Sequence, residues 1–192
     1  NVVPHESGTT LRLLLPVAAS ICNEVDVDAK GRLPDRPLEP MLGEMKAHGV
    51  TFSRDKPPFT MTGRLQGGEF GMVGDVSSQF FSGLLLAAPQ CGGATITSTT
   101  PLQSRDYVTL TTTTMADFGV TVDHTPASDV VQESFMVAAN ATFKGQSNYQ
   151  IEGDWSNTAI WMEAAGMTGK QITITGMNKN SVQADRRIMQ IM

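Results

Sequence analysis

The stretch Gly74-Asp-Val-Ser-Ser-Gln-Phe-Phe-Ser-Gly-Leu-Leu-Leu-Ala-Ala-Pro89 joins a short turn to two adjacent hydroxyls, one amide side chain and a strongly apolar run. This order predicts a helix that begins at Ser77 or Ser78, because small hydroxyl side chains at a helix start accept hydrogen bonds from unpaired backbone N–H groups. The same N–H groups and the positive end of the helix dipole favour a bound anion. The stretch therefore predicts either an ordinary capped core helix or part of an anion site.

The same pattern occurs 70 residues earlier in the chain. Ser77 corresponds to Ser7, and Met45-Lys-Ala-His-Gly-Val50 reappears at the same spacing as Met115-Ala-Asp-Phe-Gly-Val120. A third helix start, at Ser156, follows Ser77 after 79 residues. Self-similarity at a fixed spacing indicates copies of one supersecondary unit, ordered helix, strand, helix, strand, strand.

Apolar periodicity places the individual elements. Helices are expected at Ser7 to Ile21, Asp35 to His48, Ser77 to Ala87 and Asp106 to Phe118, from Ser156, and near Val182. Strands are expected at Glu24 to Asp28, Phe59 to Thr62, Glu69 to Val73, Ala94 to Ser98, Val120 to His124, Glu133 to Ala138 and Gln171 to Thr175. The pattern predicts an α+β fold in which each unit forms a sheet with helices on one side, and several units share a core of inward-facing helices.

Composition narrows the class of protein. With 192 residues, 40% of them hydrophobic and 17% charged, the chain is long enough to bury a core. The net charge of −5 and the absence of a Lys/Arg run argue against a nucleic-acid surface. No apolar stretch approaches the roughly 20 residues of a membrane span. The chain opens on Asn1 and ends within a predicted helix, so we expect a fragment of a longer protein.

The cysteines and histidines indicate neither a disulfide framework nor a metal site. Cys22 and Cys91 are expected to be buried free thiols in a reducing cytosol. His5, His48 and His124 have no metal-ligand spacing to each other or to the cysteines. Any anionic ligand must therefore be met by a few placed cations.

Candidate binding residues cluster at the predicted helix starts. Ser7-Gly-Thr9 and Ser77-Ser78 carry small residues suited to close approach of an anion. Arg32 and Arg36 flank a Leu-Pro-Asp segment at a helix start, where the dipole disfavours a cation. These arginines are either solvated surface groups or a clamp for a phosphate or carboxylate.

The matching position in the second copy is Ser104-Arg-Asp-Tyr107. Ser104 and Tyr107 either hydrogen-bond a ligand or simply cap and pack a helix. No nucleophile with an adjacent base and no lysine-containing phosphate loop is visible.

Six short motifs occur in the order seen in 5-enolpyruvylshikimate-3-phosphate synthases, and the chain is identified as resembling that family over almost its whole length. They are Ser7-Gly-Thr-Thr-Leu-Arg12, Gly31-Arg-Leu-Pro-Asp-Arg-Pro37, Gly74-Asp-Val-Ser-Ser-Gln-Phe80, Ser104-Arg-Asp-Tyr107, Ile151-Glu-Gly-Asp154 and Asn180-Ser-Val-Gln-Ala-Asp185. The resemblance implies transfer of the enolpyruvyl group of phosphoenolpyruvate to the 5-hydroxyl of shikimate 3-phosphate, with release of phosphate. It implies no metal or organic cofactor, a monomer, and a cytoplasmic or, in plants, plastid enzyme.

The resemblance also implies a fold of two lobes with three units each, an inside-out α/β barrel with sheets outside and helices inside. Residues 1–151 would be two repeat units of one lobe, residues 152–155 the crossover hinge, and residues 156–192 the beginning of the second lobe. The acid/base residues of the family lie outside this chain, so we expect no catalysis by the chain alone.

The family's binding residues can be carried over position by position. Shikimate 3-phosphate would be held by Ser77, Ser78, Gln79 and Ser104, with Tyr107 close to its ring. Phosphoenolpyruvate, with which glyphosate competes, would contact Gly8, Arg36 and Gln79. Arg12 and Asp154 would have supporting roles.

Three departures from the family pattern stand out. Glu6 replaces an asparagine of some members, Arg105-Asp106 replaces a Lys-Pro pair, and Ala184 replaces a glycine.

Two other functions remain as alternatives. A sister family acts on UDP-N-acetylglucosamine, but it has a cysteine in the loop that here runs from Lys30 to Arg36 without one. The chain could also be a non-catalytic anion-binding module.

Overall fold

A repeated order of strand, helix, strand, helix and two strands organises the first 144 residues. The structure is a computed structural model that describes residues 1–192, and the chain divides into two compact units, residues 1–144 and 145–192. The helices of the first unit are α1 (Gly8–Ile21), α2 (Met41–Ala47), α3 (Ser78–Ala87) and α4 (Arg105–Asp117). Its strands are β1 (Glu24–Val27), β2 (Val50–Phe52), β3 (Phe59–Gly63), β4 (Gly68–Met72), β5 (Ala94–Ser98), β6 (Val122–Thr125) and β7 (Ser134–Val137).

The strands form two sheets, one for each copy. The first sheet has the order β1-β3-β2 and is antiparallel, and the second has the order β4-β5-β7-β6, in which β4 runs parallel to β5. Both copies contain the predicted order of helix, strand, helix, strand, strand. The assignment of β4 to the first copy is wrong, because β4 pairs with β5 of the second sheet, and the short strand β2 was not predicted. The first copy keeps a trace of the same arrangement, since Val2 makes a parallel bridge to Val27. Local alternation of residues cannot reveal which neighbour a strand pairs with.

The second helix of the first copy is shorter than predicted. It begins at Met41 rather than at Asp35, and only a single 3₁₀ turn, Leu33–Asp35, precedes it. Pro37 and Pro40 lie in the gap, and a proline lacks the N–H donor and disfavours helical backbone in the residue before it. Its counterpart α4 has no proline and runs for 13 residues instead of 7.

The helices share one hydrophobic core between them. Helix α1 packs on α3, and α3 packs on α4. Equivalent positions of the repeat are buried alike: Met45 and Met115 at the helix ends, and Val50 and Val120 after them, are all nearly inaccessible. The predicted α+β fold with helices gathered in the core is therefore confirmed for these residues.

The second unit contains α5 (Trp155–Thr168), a 3₁₀ turn (Ala184–Arg187) and α6 (Ile188–Ile191). The predicted crossover at residues 152–155 lies immediately before and at the start of α5. The predicted strand at Gln171 to Thr175 is irregular instead, because the unit has no strand that could pair with it. The Trp155 indole N–H donates to the carbonyl of Asn178 at 3.1 Å and thereby joins α5 to the segment that follows.

The two cysteines differ in their exposure to solvent. Cys22 is exposed at the end of α1, so the prediction of a buried thiol is wrong at this position. Cys91 is half-buried, its Sγ donates to the carbonyl of Ala87, and burial raises its pKa to about 11.

No helix has the length and apolarity needed to traverse a bilayer.

The contact between α1 and α3 generates a first prediction. A Cβ on Gly83 would lie 2.3 Å from the carbonyl oxygen of Arg12, so Gly83→Ala forces the two helices apart. We expect a loss of about 1–3 kcal/mol in the free energy of unfolding, even though alanine is the better helix former. Urea unfolding followed by circular dichroism measures it. Gly145→Ala is the matched control, because nothing lies within 4 Å of a Cβ there; equal stability of both variants would contradict the close contact.

Candidate functional site

The starts of α1 and α3 lie side by side, with serine caps at equivalent positions. Ser7 Oγ accepts from the backbone N–H of Thr10 at 3.1 Å, and Ser77 Oγ accepts from that of Gln79 at 3.3 Å. The Gln79 side chain then donates to Thr9 Oγ1 at 2.9 Å, across the two helix starts. The predicted convergence of the two equivalent helix starts is thus present in the structure.

Arg12 on α1 holds the same glutamine from its other side. Its Nη1 donates to Gln79 Oε1 at 3.1 Å, and its Nη2 donates to the carbonyl of Pro37 at 3.0 Å. The guanidinium carbon lies 5.2 Å from the ring centre of Phe80, and the buried Nε has no hydrogen-bond partner. Burial, and then the positive charge of Arg36, lower the pKa of Arg12. Sequence reasoning gave Arg12 only a supporting position and did not anticipate its contacts with Pro37 and Phe80.

Arg36 lies directly against the first residue of α1. A Cβ on Gly8 would be only 2.9 Å from Arg36 Nη1, so the absence of a side chain at Gly8 permits this approach. Arg36 follows the 3₁₀ turn Leu33–Asp35 in an extended conformation. The structure therefore brings the positive charges of Arg12 and Arg36 close together at a helix N-terminus. An anion at this place would relieve their mutual repulsion.

Ser104 lies immediately before α4 in an unusual backbone conformation. Its φ of +53° and ψ of +38° are left-handed, and its side chain makes no capping hydrogen bond. Of the two alternatives left open by the sequence, capping is therefore excluded for Ser104. The Tyr107 side chain, one turn further on, is 51% exposed. Both side chains are available to a ligand.

Gly74 ties the loop before α3 to the loop before α4. Its N–H donates to Thr100 Oγ1 at 2.8 Å, and its carbonyl accepts from the N–H of Gln103 at 2.9 Å. These bonds join the segment that carries Ser78 to the segment that carries Ser104. Ser78 is the first residue of α3 and is 7% exposed.

Asp154 belongs to the second unit, apart from the residues described so far. Its Oδ1 accepts from the backbone N–H of Ser156 at 2.8 Å and of Asn157 at 3.4 Å, so it caps α5. Within its own unit, the structure gives Asp154 a helix-capping role.

The last two sequence motifs meet within the second unit, which sequence reasoning did not foresee. Glu152 Oε1 accepts from Ser181 Oγ at 2.6 Å and from Gln183 Nε2 at 2.8 Å. Burial raises the pKa of Glu152, but the hydrogen bonds from Ser181, Gln183 and Asn178 outweigh it, so the net pKa is lowered.

A buried carboxylate near Ser104 was also missed. Glu133 is 2% exposed and accepts from Arg105 through both oxygens, at 2.7 Å from Nε and 2.9 Å from Nη2. His124 Nε2 lies 2.9 Å from the same carboxylate. No local pattern in the sequence marks this pairing. No three His, Cys, Asp or Glu side chains are grouped so as to hold a metal ion.

Comparison with known proteins gives a consistent result. The profile of the family EPSP synthase (3-phosphoshikimate 1-carboxyvinyltransferase) matches residues 4–192. The 3-phosphoshikimate 1-carboxyvinyltransferase of Clostridium kluyveri is 37% identical over 195 residues, covering 100% of this chain and 44% of that protein. The protein of the same name from Methanocorpusculum labreanum is 33% identical over 189 residues, covering 97% of this chain and 43% of that protein. The chain thus spans about two fifths of the length of these relatives.

Solved structures share the fold. An EPSP synthase from Acinetobacter baumannii matches with a TM-score of 0.70 and 20% identity, over 98% of this chain and 41% of that chain. The enolpyruvyl transferase NikO from Streptomyces tendae matches with a TM-score of 0.55 and 19% identity, over 81% of this chain and 36% of that chain. The predicted enolpyruvyl transferase type of fold is confirmed.

The Glu152 cluster generates a prediction about pH. Because the pKa of Glu152 is lowered on folding, its contribution is present above the unfolded value of about 4.3 and is lost as the pH falls through the folded value. Glu152→Gln should therefore destabilise the second unit at pH 7, and its difference in stability from the unmodified chain should shrink as the pH falls below about 4.3. Both tryptophans of the chain lie in this unit, so fluorescence during urea unfolding reports it. Glu163→Gln, at an exposed position on α5, is the control; a pH-independent difference for Glu152→Gln would contradict the prediction.

Proposed function

The chain belongs to the EPSP synthase family, and on that basis we propose that it supplies part of the site for enolpyruvyl transfer from phosphoenolpyruvate to the 5-hydroxyl of shikimate 3-phosphate. The observation that carries this proposal is the pair of neighbouring guanidiniums, Arg12 and Arg36, beside the starts of α1 and α3. Two positive charges and two sets of unpaired N–H groups in one place favour anionic ligands.

Phosphoenolpyruvate is assigned to the first of the two helix starts. The Arg36 guanidinium lies against Gly8, where no side chain blocks an anion from the N-terminus of α1. A guanidinium offers a planar fork of donors that suits a carboxylate or a phosphate. Gln79 completes the contact, because Arg12 and Thr9 fix its amide from both sides. Arg12 supports the site by holding that amide.

Shikimate 3-phosphate is assigned to the second helix start. Ser77 and Ser78 begin α3, and Ser104 lies on the loop that Gly74 joins to it. Gln79 directly follows Ser78 and bonds to Arg12, which supports its assignment to both substrates. Tyr107 is exposed at the first turn of α4 and is assigned to the ring of shikimate 3-phosphate.

The proposed organisation assigns residues 1–151 to two units of one lobe, 152–155 to the crossover and 156–192 to the start of the second lobe. Asp154 lies within this crossover and caps α5. The chain spans about two fifths of its relatives, and the residues that would move protons are assigned to the remainder. We therefore expect this chain to bind substrate without turning it over. The proposed location is the cytoplasm, and no cofactor is assigned.

The physical role of this half-site is to bring two anions together. Helix N-termini and arginines offset the repulsion between the two substrates, and a fixed orientation of the reacting groups lowers the entropic part of the barrier. A fixed site for each substrate on adjoining helix starts meets that requirement without a metal.

Isothermal titration calorimetry on this chain tests the proposal. Shikimate 3-phosphate is expected to bind, and phosphoenolpyruvate to bind more tightly once shikimate 3-phosphate is present. UDP-N-acetylglucosamine is expected to give no heat, since the loop from Lys30 to Arg36 lacks the cysteine of the sister family. No binding of shikimate 3-phosphate would overturn the proposal, and binding of UDP-N-acetylglucosamine alone would replace it with the sister function.

The substitution Arg36→Ala is expected to affect the affinity for one substrate much more than the affinity for the other. Loss of a charged hydrogen-bond donor costs about 1.5–3 kcal/mol, so the affinity for phosphoenolpyruvate should fall about tenfold or more. The affinity for shikimate 3-phosphate should change by less than about threefold, since Arg36 is not among its assigned contacts. Calorimetry measures both, and Lys46→Gln, which removes a cation paired with Asp55, is the control. Equal losses for both substrates would contradict the assignment of Arg36.

Replacing Ser77 and Ser78 with alanine should have the opposite selectivity. The affinity for shikimate 3-phosphate should fall about tenfold, with two neutral hydrogen bonds lost at about 0.5–1.5 kcal/mol each. Ser77→Ala also removes a helix cap, so Ser7→Ala is the matched control: it removes the equivalent cap of α1 at a similar cost in stability. If Ser7→Ala lowers the affinity for shikimate 3-phosphate equally, Ser77 and Ser78 have no binding role beyond the start of the helix.

A further inference from the structure

Glu133 is a buried carboxylate beside the loop that carries Ser104, and its partners Arg105 and His124 are partly exposed. Both carboxylate oxygens are used by Arg105, and one also contacts the His124 ring. The ring of His124 stacks on Phe135 with a centroid distance of 4.6 Å. A carboxylate that is 2% exposed is costly to bury unless it is paired in good geometry, and the two-point contact with Arg105 provides such a pairing.

Arg105 occupies a position at which a cation is disfavoured. It is the first residue of α4, where the positive end of the helix dipole repels a guanidinium. Its side chain turns to Glu133, which directly precedes β7, so the first turn of α4 is tied to the second sheet. Two of the three guanidinium nitrogens, Nε and Nη2, thereby contact Glu133.

Ser104, whose backbone is strained, lies next to the ion pair between Arg105 and Glu133. Left-handed backbone is sparsely populated by residues other than glycine and persists only where the surroundings impose it. On one side, the N–H of Gln103 is fixed by the carbonyl of Gly74 at 2.9 Å. On the other side, Arg105 is fixed by Glu133. Ser104 is thus held between two anchored neighbours.

The internal repeat shows that the tie is not a general requirement of the fold. The positions 70 residues before Ser104 and Arg105 are Pro34 and Asp35. The pairing of β3 with β1 and of β7 with β5 matches Phe59 to Ser134, so the counterpart of Glu133 is Pro58. The first copy therefore forms its sheet and helices without any such ion pair. Ser104 has no serine counterpart either, since Pro34 occupies its position in the first copy.

We propose that Glu133 is a positioning residue that acts through Arg105 to hold Ser104 in its left-handed conformation, which leaves the Ser104 hydroxyl for the substrate instead of the helix cap. The inference rests on the proposed function for the identity of that substrate, shikimate 3-phosphate. It adds Glu133 and Arg105 to the residues that determine binding, although neither touches the ligand.

A double-mutant cycle tests the conformational part without any ligand. Ser104→Gly removes the side chain that makes left-handed backbone unfavourable. If Glu133 holds Ser104, Glu133→Gln also releases the backbone strain in the unmodified chain. It should therefore reduce the folding equilibrium constant less in the unmodified chain than in the background of Ser104→Gly, by at least about threefold. Urea unfolding of the four proteins gives this coupling. Additive effects would overturn the proposed hold on Ser104.

Calorimetry tests the consequence for binding. Glu133→Gln should lower the affinity for shikimate 3-phosphate about tenfold, which is comparable to the loss of one hydrogen bond to the ligand. The affinity for phosphoenolpyruvate should stay unchanged within about twofold. Arg105→Lys keeps the charge and should restore part of the affinity lost in Arg105→Gln. His124→Asn is the matched control, because it removes a contact to the same carboxylate without touching Arg105.

The outcomes separate the two levels of the proposal. Equal weakening by His124→Asn and Glu133→Gln would overturn the positioning role, because a general loss of stability would then explain both. No binding of shikimate 3-phosphate by the unmodified chain would overturn the proposed function and the assigned substrate of Ser104. In that case the double-mutant cycle still decides whether Glu133 holds the left-handed backbone.

Discussion

The close approach of α1 and α3 is the constraint on which the rest of the first unit depends. Gly83 has no side chain, so its backbone lies against the carbonyl of Arg12, where even a methyl group would clash. At this separation the Gln79 amide reaches both Arg12 and Thr9. If the helices were further apart, the two helix starts would remain individually capped but would no longer form one surface. Packing in the core and geometry at the site are therefore set by the same contact.

The repeat made much of this fold predictable. Serine caps, apolar helical runs and the Gly-Val pairs after α2 and α4 are local signals, and Ser7, Ser77, Gly49 and Gly119 have the roles that such signals predict. The failures concern long-range pairing. The partner of β4 is decided by its parallel register with β5 across a whole helix, which no local alternation encodes. Residues 171–175 have a strand-like sequence but no strand beside them in their unit.

The candidate site shows the same division. Gly8, Arg36 and Gln79 were expected to gather, and the structure places them around adjoining helix starts, although their binding roles are proposals. The conformation of Ser104 could not be foreseen, since it depends on Glu133, which lies 28 residues beyond Arg105 in the sequence. The resemblance to a family identified residues by type and order, whereas the reason for a side chain's availability lay in contacts between distant segments.

The two cysteines differ in a way that is useful beyond the site itself. The Cys91 thiol is half-buried with a pKa of about 11, so hardly any of it is thiolate at neutral pH, whereas Cys22 is exposed at the end of α1. Since thiolate is the reactive form, a maleimide dye or spin label would attach selectively to Cys22. The opposite end of the same helix begins at Gly8, against Arg36. The native sequence therefore provides a single attachment point for a spectroscopic probe on the helix that the proposed ligand would contact.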